Sequence, residues 1–139
     1  MGFKRLNAGD LDRALSVSPR QYLVGRLTRP QEITEMVDDR IEVGLSRYPS
    51  ASTEQPHRHT HVTEYQYVIS GLTEYLDVAT HEVHRFAAGD FYATSPETSY
   101  AQRIKAGTLI LFIKVPGQND KVPLEASPTV RAWMDDPAW

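Results

Sequence analysis

The 139-residue chain contains no cysteine, so it can form neither a disulfide framework nor a metal site built on thiolates. It has no apolar run close to the roughly 20 residues that a membrane-spanning helix needs. Its net charge is −3 and its acids and bases are mixed, which argues against the basic stripe of a nucleic-acid groove. We therefore expect neither a nucleic-acid nor a membrane partner.

The first ten residues lack the apolar core of a signal peptide. We therefore expect a cytoplasmic protein. The length suits one domain with a substantial core, and a hydrophobic share of 40% is too high for a disordered chain.

From residue 41 onward the sequence has the pattern of short β-strands. Ile41, Val43 and Leu45 alternate with polar or small residues, which predicts a half-buried strand with these three on its inner face. Similar short segments, separated by turn residues, recur about every 8 to 12 residues as far as residue 116. This spacing predicts an all-β sandwich or barrel.

The segments on either side of this region are predicted to be accessory parts of one domain. Residues 1–40 form an N-terminal arm, with a short helix that Asp10 caps and that ends near Leu15. Residues 117–139 contain three prolines and two tryptophans, which predicts an irregular tail packed on the outside of the barrel.

Three of the five histidines lie in the short segment from residue 56 to 71. His57 and His59 are two residues apart, so in a strand both imidazoles point to one face. Glu64 follows after enough residues for the chain to turn into a neighbouring strand. Two imidazoles and a carboxylate on one face form a site for one divalent transition metal, such as Fe, Mn, Ni, Cu or Zn.

These residues match the first motif of the cupin family, His-x-His, three or four residues, Glu, six residues, Gly. His57, His59, Glu64 and Gly71 occupy its four positions. The chain therefore resembles a small single-domain cupin, and the resemblance covers about residues 40–116. It implies a jelly-roll β-barrel with a metal pocket at its mouth, and a homodimer.

The second cupin motif, Gly, five residues, Pro-x-Gly-x-x-His, is degraded here. Gly89 matches, whereas Ser95 stands in place of the proline and Glu97 in place of the second glycine. Tyr100 replaces the last histidine, which in the family binds the metal.

Tyr100 has three interpretations. It is a fourth metal ligand, or a hydroxyl that acts as acid, base or hydrogen-bond donor, or a space-filling residue beside a facial triad of two histidines and one carboxylate. We favour the second and third together. His61 offers a rival register with His59, but its spacing to Glu64 is short. We expect His61 near the site as a proton carrier and not as a ligand; an exposed strand-end residue fits it equally well.

Strand parity identifies three candidates for binding a polar or anionic substrate. Gln66 shares the face of Glu64, and Gln102 shares the face of Tyr100. Arg47 shares the face of Leu45, so its side chain is expected to point into the barrel or towards the barrel rim.

The favoured function is a metal-dependent enzyme, an isomerase, lyase or oxygenase, that acts on a small oxygen-rich molecule. In it Tyr100 or His61 moves a proton. The segment from Phe112 to Gly117 also resembles small cupins linked with sugar and polysaccharide metabolism, which implies carbohydrates as one candidate substrate class. The alternatives are a non-catalytic module that binds or senses a small molecule, and a metal-free barrel that assembles with a partner. The sequence identifies neither the metal nor the reaction.

Overall fold

The structure, a computed structural model, describes residues 2–139 and consists of two facing β-sheets with a short helix near each end. In chain order the elements are α1 (Ala8–Val17), β1 (Arg20–Gly25), β2 (Met36–Val37), β3 (Glu42–Tyr48), β4 (Ser52–His59), β5 (Thr63–Ser70), β6 (Leu72–Asp77), β7 (Val83–Ala87), β8 (Phe91–Thr94), β9 (Tyr100–Ile104), β10 (Thr108–Val115), β11 (Lys121–Pro123) and α2 (Pro128–Met134).

The six-stranded sheet has the order β2-β1-β3-β10-β5-β8, and the five-stranded sheet has the order β11-β4-β9-β6-β7. All pairings are antiparallel except that between β1 and β2. This arrangement confirms the predicted all-β jelly roll. The short strands predicted between residues 41 and 116 are present as β3 to β10.

The N-terminal arm contributes strands to the barrel wall. β1 pairs with β3, and β11 of the tail pairs with β4, so the two sheets extend beyond residues 41–116 at both ends. α1 begins at Ala8, before the predicted cap: Asn7 Oδ1 accepts from the backbone N–H of Asp10 at 2.8 Å. Capping by Asp10 was therefore a wrong prediction, although the helix is present.

The predicted inner face of β3 is wrong by one residue. Gly44 and Ser46 point inward, and Gly44 lies directly against the Phe112 ring, whereas Val43 and Leu45 lie on the outer face. The inner surface is polar here because it lines a cavity, so the apolar residues of β3 belong to the outer surface. Arg47 follows them outward and pairs with Asp12 of α1 at 2.9 Å.

The apolar core fills one end of the space between the sheets. Val68, Tyr75, Tyr92 and Tyr100 are buried there, and Phe86 stacks on Tyr92 with ring centroids 3.8 Å apart. The opposite end remains open as the cavity described below.

α2 covers the outer face of the five-stranded sheet. Val130 and Met134 pack on Leu76 and Ala101, while the ring of Trp139 lies 4.2 Å from the Arg103 guanidinium. The tail therefore packs on the outside of the barrel. Within residues 2–139 no helix is long and apolar enough to cross a membrane.

Gly71 gives a test of the packing between the β5–β6 turn and β10. Its φ is +86°, and an added Cβ would lie 2.5 Å from the Thr108 Cα. We expect Gly71→Ala to lower the free energy of unfolding by about 3 kcal/mol, because backbone strain and a steric clash combine. Gly89→Ala is the matched control: its φ is +93°, but no atom lies within 4 Å, so strain alone should cost about 1 kcal/mol. Equal losses in urea unfolding would contradict this account.

Candidate metal and ligand site

A cavity of about 840 Å³ lies between the two sheets. Its wall includes six of the residues predicted for the site: His57, His59, Glu64, Gln66, Tyr100 and Gln102. Two predicted residues do not line it. Arg47 points to α1, and His61 is exposed in the turn that follows β4.

The strand parity predicted for the histidines is confirmed. His57 and His59 of β4 are 2% and 5% exposed, and their ring centroids lie 5.3 Å apart. Glu64 of β5, in the facing sheet, brings its Oε1 to 3.3 Å from His59 Nε2. The three side chains therefore line the same cavity, with His59 next to both His57 and Glu64.

Each imidazole is oriented through its Nδ1 atom. His57 Nδ1 lies 3.0 Å from the Gln55 carbonyl, and we assign the proton to this nitrogen because a carbonyl oxygen only accepts. His59 Nδ1 donates to Asp120 Oδ1 at 2.7 Å. Each Nε2 atom consequently remains available on the cavity side of its ring. Histidines that bind metals are commonly held in this way through their other ring nitrogen.

Asp120 also fixes the turn between β4 and β5. Its Oδ2 accepts from the backbone N–H groups of His61 at 2.6 Å and Val62 at 2.9 Å. Burial alone would raise the pKa of Asp120. These two hydrogen bonds and the one to His59 together outweigh burial, so the pKa of Asp120 lies well below its ordinary value. Asp120 is therefore a carboxylate that holds both His59 and the turn. Sequence analysis did not predict this role, because Asp120 lies far from the motif along the chain.

Gln66 positions Glu64. Its amide nitrogen donates to Glu64 Oε2 at 2.8 Å, while its Oε1 accepts from the Tyr92 hydroxyl at 2.7 Å. The Tyr75 hydroxyl lies 2.7 Å from that of Tyr92 and extends the network into the core. Gln102 is occupied differently, since it donates to Thr73 Oγ1 at 3.0 Å.

The charges of the three motif residues differ. Burial lowers the pKa of His57, which favours a neutral imidazole. The hydrogen bond to Glu64 raises the pKa of His59, which lies between two carboxylates. Burial raises the pKa of Glu64, yet the hydrogen bond to His59 and the charge of Lys114 give a net lowering, so Glu64 is ionised.

Tyr100 is a buried, neutral phenol. Its hydroxyl lies 3.1 Å from His57 Nε2 and donates to it, given that His57 carries its proton on Nδ1. Burial raises the pKa of Tyr100 well above its ordinary value. Of its three interpretations, this contact favours the hydrogen-bond donor over the phenolate ligand.

The donor types at this wall suit a divalent metal. Two ligand atoms about 2.1 Å from a tetrahedral ion are about 3.4 Å apart, close to the 3.3 Å between His59 Nε2 and Glu64 Oε1. In the part of the chain that the structure describes, however, no three His, Asp or Glu side chains are already arranged as a metal site. His57 Nε2 lies instead 3.1 Å from the Tyr100 hydroxyl and 4.0 Å from Glu54 Oε1.

The N-terminal arm builds the rest of the cavity wall, which the sequence did not predict. Residues 26–32 form a loop that lines the cavity. Gln31 attaches this loop to β1, because its Oε1 accepts a hydrogen bond from the backbone N–H of Tyr22 at 2.8 Å. Five basic side chains line the cavity: Arg20, Arg26, Arg29, Lys114 and Lys121. The cavity thus combines a histidine–carboxylate wall with basic groups.

No protein-family model matches the chain, and no curated protein matches it either. Solved structures do. An uncharacterised protein with a double-stranded β-helix domain from Klebsiella pneumoniae subsp. pneumoniae MGH 78578 is 21% identical, with a TM-score of 0.54 over 64% of this chain and 78% of that one.

Two further structures are similar. An RmlC-like cupin from Shewanella frigidimarina NCIMB 400 is 15% identical, with a TM-score of 0.51 over 60% of this chain and 72% of that one. The DMSP lyase DddQ from Ruegeria pomeroyi DSS-3 is 20% identical, with a TM-score of 0.56 over 89% of this chain and 57% of that one. At these identities the likeness concerns the fold alone.

Asp120 gives the test of how the site is held. We expect Asp120→Ala to lower the free energy of unfolding by about 3 kcal/mol, because two backbone N–H groups and the His59 ring lose their acceptor. Asp90→Ala is the control, since Asp90 accepts one turn N–H, that of Ala87, in an exposed setting, and should cost about 1 kcal/mol. Urea unfolding measures both, and a loss for Asp120→Ala no larger than for the control would contradict the anchoring role.

Proposed function

We propose that this chain, which has the cupin or double-stranded β-helix fold, binds one divalent transition metal through His57, His59 and Glu64. The observation that carries the proposal is that these three side chains line one cavity of about 840 Å³, where His59 Nε2 and Glu64 Oε1 lie 3.3 Å apart. A bound ion would supply Lewis-acid chemistry, polarising an oxygen of a small oxygen-rich ligand.

The contacts behind the ligands support this proposal. A metal-bound histidine usually donates its other ring N–H to a carboxylate or a carbonyl. Here His59 donates to the Asp120 carboxylate and His57 donates to the Gln55 carbonyl. Gln66 holds the Glu64 carboxylate in the same way. These contacts fix the ring orientations before any ion binds, which reduces the entropy lost on binding.

We favour an enzyme of isomerase, lyase or oxygenase type, with a sugar or a related acid as one candidate substrate. Tyr100 supports it, since its hydroxyl is a proton donor on the cavity wall beside His57. The likeness to a DMSP lyase is compatible with lyase chemistry on this fold, but fold alone does not establish it.

A non-catalytic binding or sensing module is the second candidate. The observation in its favour is the raised pKa of Tyr100, because a phenol that stays neutral is a poor proton acceptor. Both candidates share the metal and the cavity, and they differ only in whether a bound ligand is converted.

Metal content tests the shared part of the proposal. Protein without a histidine tag, stripped with EDTA and reloaded with Mn, Fe, Ni, Cu or Zn, should retain about one equivalent of one of these ions. His59→Ala and Glu64→Gln should each weaken retention by about tenfold or more, because each removes one donor. His84→Ala is the control, since His84 is exposed in the β6–β7 hairpin.

The same series separates the two candidates. Tyr100→Phe should keep the metal, because the phenol is not a ligand in the proposed set. An enzyme should then lose turnover on a panel of small oxygen-rich compounds, whereas a binding module should show no turnover in either form. Wild-type protein without metal, or an equal loss in His84→Ala, would overturn the metal site.

We also propose that the protein is a homodimer that pairs through the outer face of the six-stranded sheet. This outer face consists of Val43, Leu45, Tyr65, Tyr67, Ile69, Phe91, Leu109, Leu111, Ile113 and Val115. With about 200 Å² for each aromatic side chain, the exposed fractions of its two tyrosines and its phenylalanine alone amount to about 300 Å².

A second copy is the occupant that the composition of the outer face favours. The members named above are uncharged, and Arg47, which also points to this side of β3, is paired with Asp12 of α1, so the face has little charge with which to select a different partner. The other sheet has its outer face covered by α2, whereas this one, in the described residues, contacts α1 only near β1 and β3. Pairing two such faces would remove their apolar surface from water.

The oligomeric state tests this interface. Wild-type protein should have about twice the 15.7 kDa chain mass in size-exclusion chromatography with light scattering, and Phe91→Glu should shift it towards one chain mass. Val83→Glu is the matched control, because Val83 is 47% exposed on the other sheet. A monomeric wild type, or an equal effect of Val83→Glu, would refute the interface.

A further inference from the structure

Arg20 differs from most arginines of the chain in having no carboxylate oxygen within 4.0 Å among the described residues, although, against the lowering by burial, Tyr48 and Glu54 lie near enough to raise its pKa. Six arginines have a carboxylate oxygen within 4.0 Å, namely those at positions 13, 40, 47, 58, 85 and 103. Both cavity lysines are likewise paired, Lys114 with Glu42 at 3.9 Å and Lys121 with Glu54 at 2.7 Å. Arg20 lines the same cavity, yet no carboxylate within residues 2–139 lies that close to it.

The stem of Arg20 is fixed although its charge is not paired. Its Nε donates to Ser46 Oγ at 3.0 Å, and its guanidinium carbon lies 5.2 Å from the centroid of the Phe112 ring. Ser46 and Phe112 are both buried residues of the inner wall. A guanidinium held by its Nε and by a ring presents a preorganised fork of terminal N–H groups.

The chemistry of this fork suits a carboxylate. A guanidinium and a carboxylate are both planar, and they form two parallel charge-assisted hydrogen bonds. Arg26 and Arg29, two exposed residues of the loop that lines the cavity, also lack a carboxylate within 4.0 Å in the described chain. The five basic side chains of the cavity lining outnumber its four glutamates, Glu32, Glu42, Glu54 and Glu64, by one.

We propose that Arg20 binds a carboxylate group of the cavity ligand, so that the ligand is a small organic carboxylate. The inference rests on the proposed function, because it names the ligand class of the same cavity. The carboxylate pairs with Arg20 on the six-stranded sheet while an oxygen elsewhere on the ligand reaches the wall formed by His57, His59 and Glu64. A guanidinium fork can also bind a phosphate through two hydrogen bonds, so the experiment below compares the carboxylates with a phosphate.

Two matched series of probes test the proposal by isothermal titration calorimetry on metal-loaded protein. The first is glucuronate, glucose 6-phosphate and glucose, and the second is lactate and propane-1,2-diol. In wild-type protein each carboxylate should bind at least about tenfold more tightly than its neutral counterpart. Arg20→Gln should abolish this difference, and Arg20→Lys should keep only part of it, because lysine has the charge but not the fork.

Arg131→Gln is the matched control, as Arg131 is exposed on α2, away from the cavity, and should leave the preference unchanged. The inference is overturned if neither series shows a carboxylate preference, if the preference survives Arg20→Gln, or if glucose 6-phosphate binds more tightly than glucuronate. Thermal unfolding of each variant shows whether a lost preference reflects a misfolded chain, and Arg20→Lys then serves as the second variant.

Repeating the titrations on EDTA-treated protein separates this inference from the proposed function. Metal retention with equal binding of acids and neutral probes leaves the metal site intact and refutes the role of Arg20. A carboxylate preference that depends on Arg20 but occurs in protein that never retains metal supports the anion site and refutes the metal.

Discussion

The site depends on His59, which is held between two carboxylates from different parts of the chain. Glu64 comes from β5, and Asp120 comes from the segment just before β11. Asp120 in turn accepts the two backbone N–H groups of the β4–β5 turn, which sets where β5 begins relative to β4. One imidazole therefore links the two sheets and the tail, and the fold determines where this ring can offer a ligand atom.

The polar cavity also explains which parts of the fold the sequence predicted. Alternation identified the strands, and the spacing of His57, His59 and Glu64 predicted their shared wall. The same alternation misplaced β3 by one residue, because it assumes that the apolar face is the inner one. In a barrel with a polar interior and an apolar outer face, alternation still predicts where a strand lies, but it does not predict which face of the strand points inward.

The residues that the sequence missed share a physical reason. Asp120 lies 61 residues from His59, and Arg20 lies 26 residues from Ser46. Neither residue belongs to a recognisable sequence motif. An isolated aspartate in a tail and an arginine at the start of a strand are usually surface residues, so neither was predicted to contact the cavity. Only the topology, in which β1 joins β3 and β11 joins β4, brings them to the cavity.

The Tyr100 hydroxyl and a metal ion would require the same lone pair, that of His57 Nε2. With Tyr100 donating, His57 is satisfied and only His59 and Glu64 approach each other at ligand spacing. Ion binding by all three therefore requires the Tyr100 hydroxyl to turn away from His57, which frees its proton to face the cavity. Tyr100, which stands in place of the histidine of the second motif, caps His57 in this structure and would become a donor exposed to the ligand if an ion were bound.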